Sequence, residues 1–354
     1  MRIDRHEPAL VDSGLAHDLA ALHNAAALVD APHVTPVSAE WVRLRTLHAD
    51  EDRPVPHLFV AVDDRGAVIG CAEVRVETWD NHHVASIDVE THPAVRGQGV
   101  GDELYAEALG CARSLGKTLL IAGTWAGGHR EEFWRRNGFS VAARDAQRRL
   151  VVADLPWPRL DELHGQSIAA STGYEIATMP TPTPPEEVAA LLELNRAMND
   201  SPIDDLEIDD DVWVEERLRN YERAMLARGV RLHRLVARRL ADGELAGHTV
   251  VAVEDERPQL GFQEDTAVTR GHRGHRLGMR LKIEMLKLLA DVEPQIVHID
   301  TWNAESNAHM VAVNDALGCV VVGRSVELQL RLPVAGQAQS WPSSRSSASS
   351  TVPS

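Results

Sequence analysis

The sequence has few cysteines, no long apolar run and no excess of positive charge, and each absence argues against a class of protein. Cys71, Cys111 and Cys319 are widely spaced within apolar runs, which favours buried thiols over disulfides or a zinc site. No apolar run approaches the roughly 20 residues of a membrane-spanning helix. The N-terminal Met-Arg-Ile-Asp-Arg-His is not a signal-peptide pattern. We therefore expect a cytoplasmic protein.

The net charge of −17 over 354 residues argues against nucleic acid or an anionic membrane as a partner, because both need basic surfaces. An anionic ligand would have to be bound by local donors instead. The length is sufficient for two domains with complete cores.

One glycine-rich stretch occurs twice, as Arg96-Gly-Gln-Gly-Val-Gly101 and as Arg273-Gly-His-Arg-Leu-Gly278. The two leading arginines lie 177 residues apart, and so do Thr124 and Thr301 further along the chain. Two landmarks at one spacing indicate a duplicated domain.

The first copy lies between an expected strand end at residues 88–91 and an expected helix at residues 102–114. Glycines allow backbone with positive φ and a close approach of a ligand to the chain. Together with the unpaired N–H groups and positive dipole end of a helix N-terminus, such a loop predicts a seat for a pyrophosphate.

The motif Arg-x-x-Gly-x-Gly between a strand and a helix resembles motif A of the GNAT acetyltransferases. The resemblance implies an α/β fold with a mixed sheet, in two tandem GNAT-like domains, and acetyl-CoA as cosubstrate. The two-copy layout is similar to that of mycothiol synthase, in which the C-terminal copy is the active one.

The predicted boundaries are an N-terminal domain at 1–155, a linker at 156–172, a C-terminal domain at 173–333 and a disordered Ser-rich tail at 334–354. Hydrophobic periodicity predicts the order β, α, α, β, β, β, α, β, α in each domain. A closing hairpin is predicted at residues 139–153 and again at residues 319–332.

The resemblance also implies which residues contact acetyl-CoA. In the first copy these are Val89, Glu90, Thr91, Arg96, Gly97, Gln98, Gly99, Val100 and Gly101. In the second copy they are Ala267, Val268, Arg273, Gly274, His275, Arg276, Leu277, Gly278, Asn303, Asn307 and Asn314.

Arg276 replaces the middle glycine of the second copy, which has two interpretations. Either the cofactor site is lost, or the loop keeps an allowed φ and the guanidinium adds a contact to phosphate. We favour the second, because Arg270, Arg273 and Arg280 crowd the same loop and suit a polyanion. A solvated basic loop is the alternative.

The asparagines of the second copy could bond the pantetheine amides of CoA, or could cap a strand end and a helix. Many relatives place a tyrosine about four residues before the glycine that ends this helix, as general acid for the thiolate. Those positions are Trp134 and Asn314 here, so neither copy has that acid.

A general base for the incoming amine is expected on the strand before each loop. The candidates are Glu264 and Asp265 in the second copy and Asp88 and Glu90 in the first. Strict alternation along a strand would direct only one of Glu264 and Asp265 into the cleft. A cross-strand ion pair is the alternative role.

Two remaining features stay open. The histidine pairs 82–83 and 272/275 lack a third ligand in sequence, so we predict no metal. The acidic segment at 204–211 could attract a cationic amine or be solvated charge at a helix start.

We predict an N-acetyltransferase that moves an acetyl group from acetyl-CoA to a primary amine of a small molecule, with the second copy catalytic. The alternatives are a non-catalytic acyl-CoA-binding or scaffold protein and a protein N-acetyltransferase. We expect no nucleic-acid or membrane partner.

Overall fold

The fold comes from a computed structural model that describes residues 1–7, 11–48 and 56–333. The predicted tail at 334–354 lies outside these residues. None of the helices in the described ranges is both long and apolar enough to cross a membrane.

The N-terminal half, residues 1–155, has six strands and four α-helices within its described part. The strands are β1 (Arg2–His6), β2 (His57–Val62), β3 (Val68–Val76), β4 (Val84–Thr91), β5 (Leu119–Trp125) and β6 (Ser140–Val151). The helices are α1 (Ser13–Asp30), α2 (Ala39–Leu47), α3 (Val100–Ser114) and α4 (His129–Arg136).

The C-terminal half, from residue 156, repeats this order after one additional helix. Its helices are α5 (Trp157–Ala170), α6 (Val188–Arg196), α7 (Glu215–Ala227), α8 (Leu277–Val292) and α9 (Ala308–Leu317). Its strands are β7 (Tyr174–Met179), β8 (Val230–Arg239), β9 (Leu245–Glu254), β10 (Leu260–Val268), β11 (His298–Ala304) and β12 (Val320–Arg331).

All twelve strands form one mixed sheet in the order β1-β2-β3-β4-β5-β12-β6-β11-β10-β9-β8-β7. The two halves therefore exchange their last strands. β12, from the C-terminal half, pairs with β5, while β6, from the N-terminal half, pairs with β11, and both pairings are antiparallel. The two predicted hairpins are wrong, because each segment is a single long strand inserted into the other half of the sheet.

One parallel strand pair in each half opens beyond its first few residues. β4 pairs with β5 only at Val84–Ser86, and β10 pairs with β11 only at Leu260–Phe262. The backbone groups beyond these points are unpaired between the two strands, so each half has a gap in its sheet. The glycine-rich loop follows the strand that borders the gap.

Helices cover both faces of the sheet because neighbouring residues of its strands enter different cores. In β2, Phe59 and Ala61 pack with α3 and α4, whereas Leu58 and Val60 pack with α1 and α2. In β8, Leu235 packs with α8, whereas Val236 packs with α6 and α7.

The two halves are joined by buried polar contacts as well as by strand exchange. Arg217 of α7 donates to Asp80 at 2.6 Å, and both side chains are almost fully buried. Arg149 of β6 makes two bonds of 2.7 Å to Asp300 of β11. Trp41 of α2 donates to Glu254 at 2.9 Å.

The acidic segment before α7 forms part of this interface. The backbone N–H of Asp205 bonds to Ala142 O, and Glu207 pairs with Arg331 at 2.7 Å. The amide of Asp209 bonds to Asn81. The sequence-based interpretation as helix-start charge is therefore wrong for this segment, since α7 begins only at Glu215.

The element predictions otherwise agree with the structure to within a few residues. Ser38 caps α2, and Gly138 and Gly318 end α4 and α9 with positive φ. Most of the predicted linker is helix α5, which packs into the core of the C-terminal half through Leu160 and Leu163. The three cysteines are free thiols; Cys71 and Cys111 are buried, as predicted, whereas Cys319 is half-buried.

Candidate active site

The first loop has the backbone geometry of an anion seat. Gly97 and Gly99 have φ of 75° and 88°, in the left-handed region that favours glycine. Helix α3 begins directly afterwards at Val100, and no side chain caps its N-terminus. Its first N–H groups are therefore available to a ligand, at the positive end of the helix dipole.

The second loop has the same geometry although Arg276 stands where the first has Gly99. Arg276 has φ of 56° and Gly274 has φ of 87°. Helix α8 begins at Leu277, and no side chain caps its N-terminus either. The loop therefore keeps its form with an arginine in it, and the contact between that arginine and phosphate stays a prediction.

In both halves an aspartate at or shortly after the end of a helix, α1 or α6, bonds to the loop arginine. Arg96 makes two bonds to Asp30, of 2.9 and 2.8 Å. Arg273 donates to Asp200 at 2.6 Å, and Arg270 bonds the same carboxylate. These bonds fix the loops, and they leave the anion to backbone N–H groups.

The other two arginines of the second loop are also hydrogen-bonded. Arg280 is bonded to Glu284, Ser171 and Tyr174 at 2.8 to 3.0 Å. Arg276 is the member that bonds a neutral side chain, Gln166, at 2.7 Å. Three of the four arginines thus have a carboxylate partner, and binding of a polyanion by the cluster stays a prediction.

A cleft of about 830 Å³, cleft one, adjoins the first loop. Of the predicted cofactor residues it is lined by Val89, Thr91, Arg96, Gly97, Gly99 and Gly101. Val100 is buried in the core. Gln98 turns back to bond Ala94 O, and Glu90 is bonded to His23.

A cleft of about 860 Å³, cleft two, adjoins the second loop. Of the predicted residues it is lined by Ala267, Val268, Arg273, Gly274, Arg276, Leu277, Gly278 and Asn307. His275 instead lies against Tyr174, with ring centres 5.4 Å apart.

Cleft two continues into a second cavity of about 390 Å³, the side pocket. The residues that line both are Met198, Ser201, Pro202, Thr266, Asn307 and Met310. The side pocket also holds three carboxylates, Asp145, Glu264 and Asp265. Asp145 belongs to the exchanged strand β6, so both halves of the chain contribute to this pocket.

Glu264 and Asp265 line the same pocket because β10 is irregular at this point. Its register against β9 shifts between Gln263 and Thr266, which marks a β-bulge or similar irregularity. The prediction that alternation would direct only one of the two carboxylates into the cleft is therefore wrong. Burial and the charges of Asp204 and Glu305 raise the pKa of Asp145.

Behind the side pocket lies a small, mostly apolar cavity, the inner pocket, which contains Asn314. Asn314 is fully buried, and its amide donates to Asn303 Oδ1 while its own Oδ1 has no partner. Asn307 caps α9 by accepting from Met310 N at 3.2 Å. The capping role of Asn307 is thus observed, and CoA contacts for the three asparagines stay a prediction.

The carboxylates of the first half are held by basic side chains. Arg130, at the start of α4, pairs with Asp88 and lies 3.7 Å from Glu90. Burial alone would raise the pKa of Glu90, but the hydrogen bond from His23 and the charge of Arg130 hold that pKa below its usual value.

His23, Cys71 and Glu90 are also close enough to be considered as metal ligands. Since His23 and Arg130 already neutralise this site, it carries no metal proposal.

Comparison with known proteins agrees with this architecture. Residues 22–139 match the family model described as Acetyltransferase (GNAT) family. A tandem GNAT protein from the clavulanic acid biosynthesis pathway, solved without acetyl-CoA, is 25% identical and has a TM-score of 0.76, with 93% of this chain and 98% of that chain covered. The N-terminal half therefore matches the GNAT family, and the whole chain has the fold of a tandem GNAT protein. A GCN5-related N-acetyltransferase from Sphaerobacter thermophilus has the same fold at 16% identity, with a TM-score of 0.66 and coverage of 93% and 95%.

No curated protein matches this chain. The family model covers a segment of the N-terminal half, so the likeness of the C-terminal half rests on the tandem structure. The family match and the tandem structure support an acyl-CoA-dependent acetyltransferase.

Three residues near the second loop were missed by sequence reasoning: Gln263, Lys282 and Asp145. Gln263 and Lys282 line both the side pocket and the inner pocket. Lys282 lies 177 residues after Tyr105, so the repeat spacing could have drawn attention to it. No local signal could have indicated Asp145, which reaches the pocket only through strand exchange.

Proposed function

We propose that this tandem GNAT protein is an N-acetyltransferase whose C-terminal half transfers an acetyl group from acetyl-CoA to a primary amine of a small molecule. The proposal includes the division into two domains, 1–155 and 173–333, joined by residues 156–172. The observation that carries it is the carboxylate-lined side pocket that continues from cleft two.

The chemistry of the side pocket suits an amine. An ammonium group is attracted to Asp145, Glu264 and Asp265 and must lose a proton before it can attack the thioester carbonyl. Glu264 is exposed and can pass that proton to solvent, so we give it the role of base. Asp265 is half-buried and lies within electrostatic reach of Arg234, so we give it the role of orienting the amine.

Cleft two also suits the pyrophosphate of acetyl-CoA better than cleft one does. The first turn of α3 carries Asp102 and Glu103, which oppose an anion, whereas the first turn of α8 carries no acidic residue. Backbone N–H groups at the start of α8 would bind the pyrophosphate. The gap between β10 and β11 would receive the pantetheine arm, near the unpartnered Oδ1 of Asn314.

The test is calorimetric titration of acetyl-CoA into the wild type, Gly278→Glu and Gly101→Glu. These glycines are equivalent in the repeat, and each substitution adds a carboxylate at one helix start. A side chain at Gly278 meets no atom within 4 Å, whereas at Gly101 it meets Phe133 at 3.3 Å. Circular dichroism therefore checks that both variants are folded.

We expect Gly278→Glu to abolish acetyl-CoA binding at the second loop, together with release of CoA thiol in the presence of 1,5-diaminopentane, glucosamine or Nα-acetyl-lysine. Loss of thiol release with Gly101→Glu alone would contradict the proposal and move catalysis to the N-terminal half. Binding with no thiol release on any amine would favour a non-catalytic acyl-CoA-binding protein. Turnover of a lysine-containing peptide alone would favour protein acetylation.

A further inference from the structure

Lys282 is a lysine turned into the interior of the C-terminal half. It lies in α8 between Leu281 and Ile283, and 5% of it is exposed. Its Nζ donates to Gln263 Oε1 at a long 3.3 Å. The side chain lines both the side pocket and the inner pocket, so it stands at the wall between them.

The surroundings of Nζ are mostly apolar and contain no carboxylate on the inner side. The inner pocket is lined by Met285, Leu286, Ile299 and Leu317, and its polar members are Gln263, Thr301, Asn314 and the thiol of Cys319. The carboxylates of the side pocket, Asp145, Glu264 and Asp265, lie on the other side.

The ionisation of Lys282 reflects this environment. Burial disfavours the ammonium and lowers the pKa of Lys282 to about 8, with the Cys319 thiol acting weakly in the opposite direction. A group with this pKa is mostly protonated at pH 7 and can both give and regain a proton near neutral pH. Burial in turn raises the pKa of Cys319 to about 11, so the thiol stays neutral in this range.

The position next to Asn314 indicates where the proton of Lys282 would go. A departing thiolate at this gap needs a proton, and the amide of Asn314 cannot supply one. Asn314 and Lys282 line the same cavity at the gap between β10 and β11. An acid is needed at this gap, and Lys282 is the ammonium that borders it.

We propose that Lys282 is the general acid of the C-terminal half, donating a proton from Nζ to the sulfur of the departing CoA. This inference rests on the proposed function. It adds an acid to a site that has no tyrosine in that role.

The proton balance of the step is complete. The neutral amine nitrogen forms a bond to the thioester carbon, the C–S bond breaks, and its electron pair moves to sulfur. Nζ of Lys282 gives its proton to that sulfur and becomes a neutral amine. The acceptor ammonium loses two protons in all: one passes through Glu264 to solvent, and the other restores Lys282. The products are an amide, CoA thiol and one proton in solution.

The first test observes Lys282 directly in the wild type and needs no acceptor. The chain contains three lysines, Lys117, Lys282 and Lys287, so selective ¹³Cε labelling gives three resonances. We expect the Lys282 resonance to titrate near pH 8 and to shift when acetyl-CoA binds. Lys287, which pairs with Asp161 at 2.9 Å, is the internal control on the same helix and should not respond to acetyl-CoA.

The second test measures activity against pH for Lys282→Met and for the control Lys287→Met. We expect Lys282→Met to lower kcat at least about 100-fold, the usual contribution of a general acid. Its KM for acetyl-CoA should change less than about twofold, since only proton donation is removed. The wild-type rate should fall as pH rises through the pKa of Lys282, because the donor form is lost, and this limb should be absent from Lys282→Met.

The outcomes separate this inference from the proposed function. If acetyl-CoA binds but leaves the Lys282 resonance unchanged, the inference fails and the acetyltransferase proposal stands. The inference also fails if the rate of Lys282→Met still falls at high pH as the wild-type rate does. It fails equally if the control Lys287→Met loses this fall as well. If acetyl-CoA does not bind at all, the proposed function itself fails.

Discussion

The two helices that follow the glycine-rich loops differ most at one equivalent position. In the N-terminal half this position is Tyr105, which packs against the aromatic rings of Phe133, Trp134 and Phe139. In the C-terminal half it is Lys282, which faces the inner pocket. The same turn of the same helix thus completes a core in one copy and lines a cavity in the other.

The carboxylates before the loops differ in the same direction. Asp88 and its repeat equivalent Asp265 both lie near the end of their strands, but Asp88 is paired with Arg130. Asp265 lines the side pocket and lies within electrostatic reach of Arg234. The comparison teaches that the glycine loop, which carries the family motif, can be retained while the residues around it change their role.

The prediction with the largest expected effect tests whether the two halves unfold separately or as one unit. Asp80→Asn leaves Arg217 buried without its full counter-charge, so we expect a loss of about 3–5 kcal/mol in the free energy of unfolding. Calorimetric melting should show one transition that shifts as a whole, because the sheet is continuous. The matched control is Asp102→Asn, which removes an exposed pair with Arg136 and should cost less than about 1 kcal/mol. Two separate endotherms, with only one shifted, would contradict a single folding unit.

The second effect concerns the catalytic role of the C-terminal half. Glu264→Gln removes the proposed base and should lower kcat about 100-fold or more, with little change in acetyl-CoA affinity. Asp265→Asn should mainly raise KM for the amine, since its proposed role is orientation. Steady-state kinetics with the best amine of the panel measures both, and Glu175→Gln, on the exposed edge of β7, serves as the control. Full activity in Glu264→Gln would remove it from the mechanism.

The prediction with the smallest expected effect concerns the replacement of Arg276 by glycine. Arg276→Gly relieves a left-handed arginine and should stabilise the fold by about 1 kcal/mol. It should also weaken acetyl-CoA binding about tenfold, the size of a lost charge-assisted hydrogen bond. Calorimetry and urea unfolding measure the two changes separately. Unchanged affinity would mean that Arg276 does no more than bond Gln166.

Local patterns predicted the elements because the apolar spacing and the caps belong to each segment alone. Ser38 caps α2 and Gly138 follows α4 through such local interactions. Strand exchange could not be predicted, since the sequence of β6 or β12 shows that it is a strand but not which strand it joins. The hairpin prediction assumed the nearest partner, and the structure has a more distant one.

The site was predictable in its backbone and less so in its side chains. The glycine spacing located both loops. Helix capping was one of the two interpretations given for Asn307. The pairing of Arg273 with Asp200 brings together residues 73 positions apart, and no pattern connects them. Glu264 and Asp265 were misjudged because an irregularity in β10 interrupts alternation. The sequence does not distinguish Lys282 from the exposed polar residues of an amphipathic helix. Its inward direction depends on the cavity beside it.

The exchange of β6 and β12 also bears on how this protein is made and inherited. During synthesis the edge of β5 stays without its β12 neighbour until residues 320–331 have emerged, so the sheet of the N-terminal half is completed only after most of the C-terminal half has been made. A gene shortened to one copy would encode a sheet missing its own neighbour strand and a pocket missing Asp145. Deletion of either copy would therefore remove a strand from the sheet of the other, which gives selection a reason to keep both.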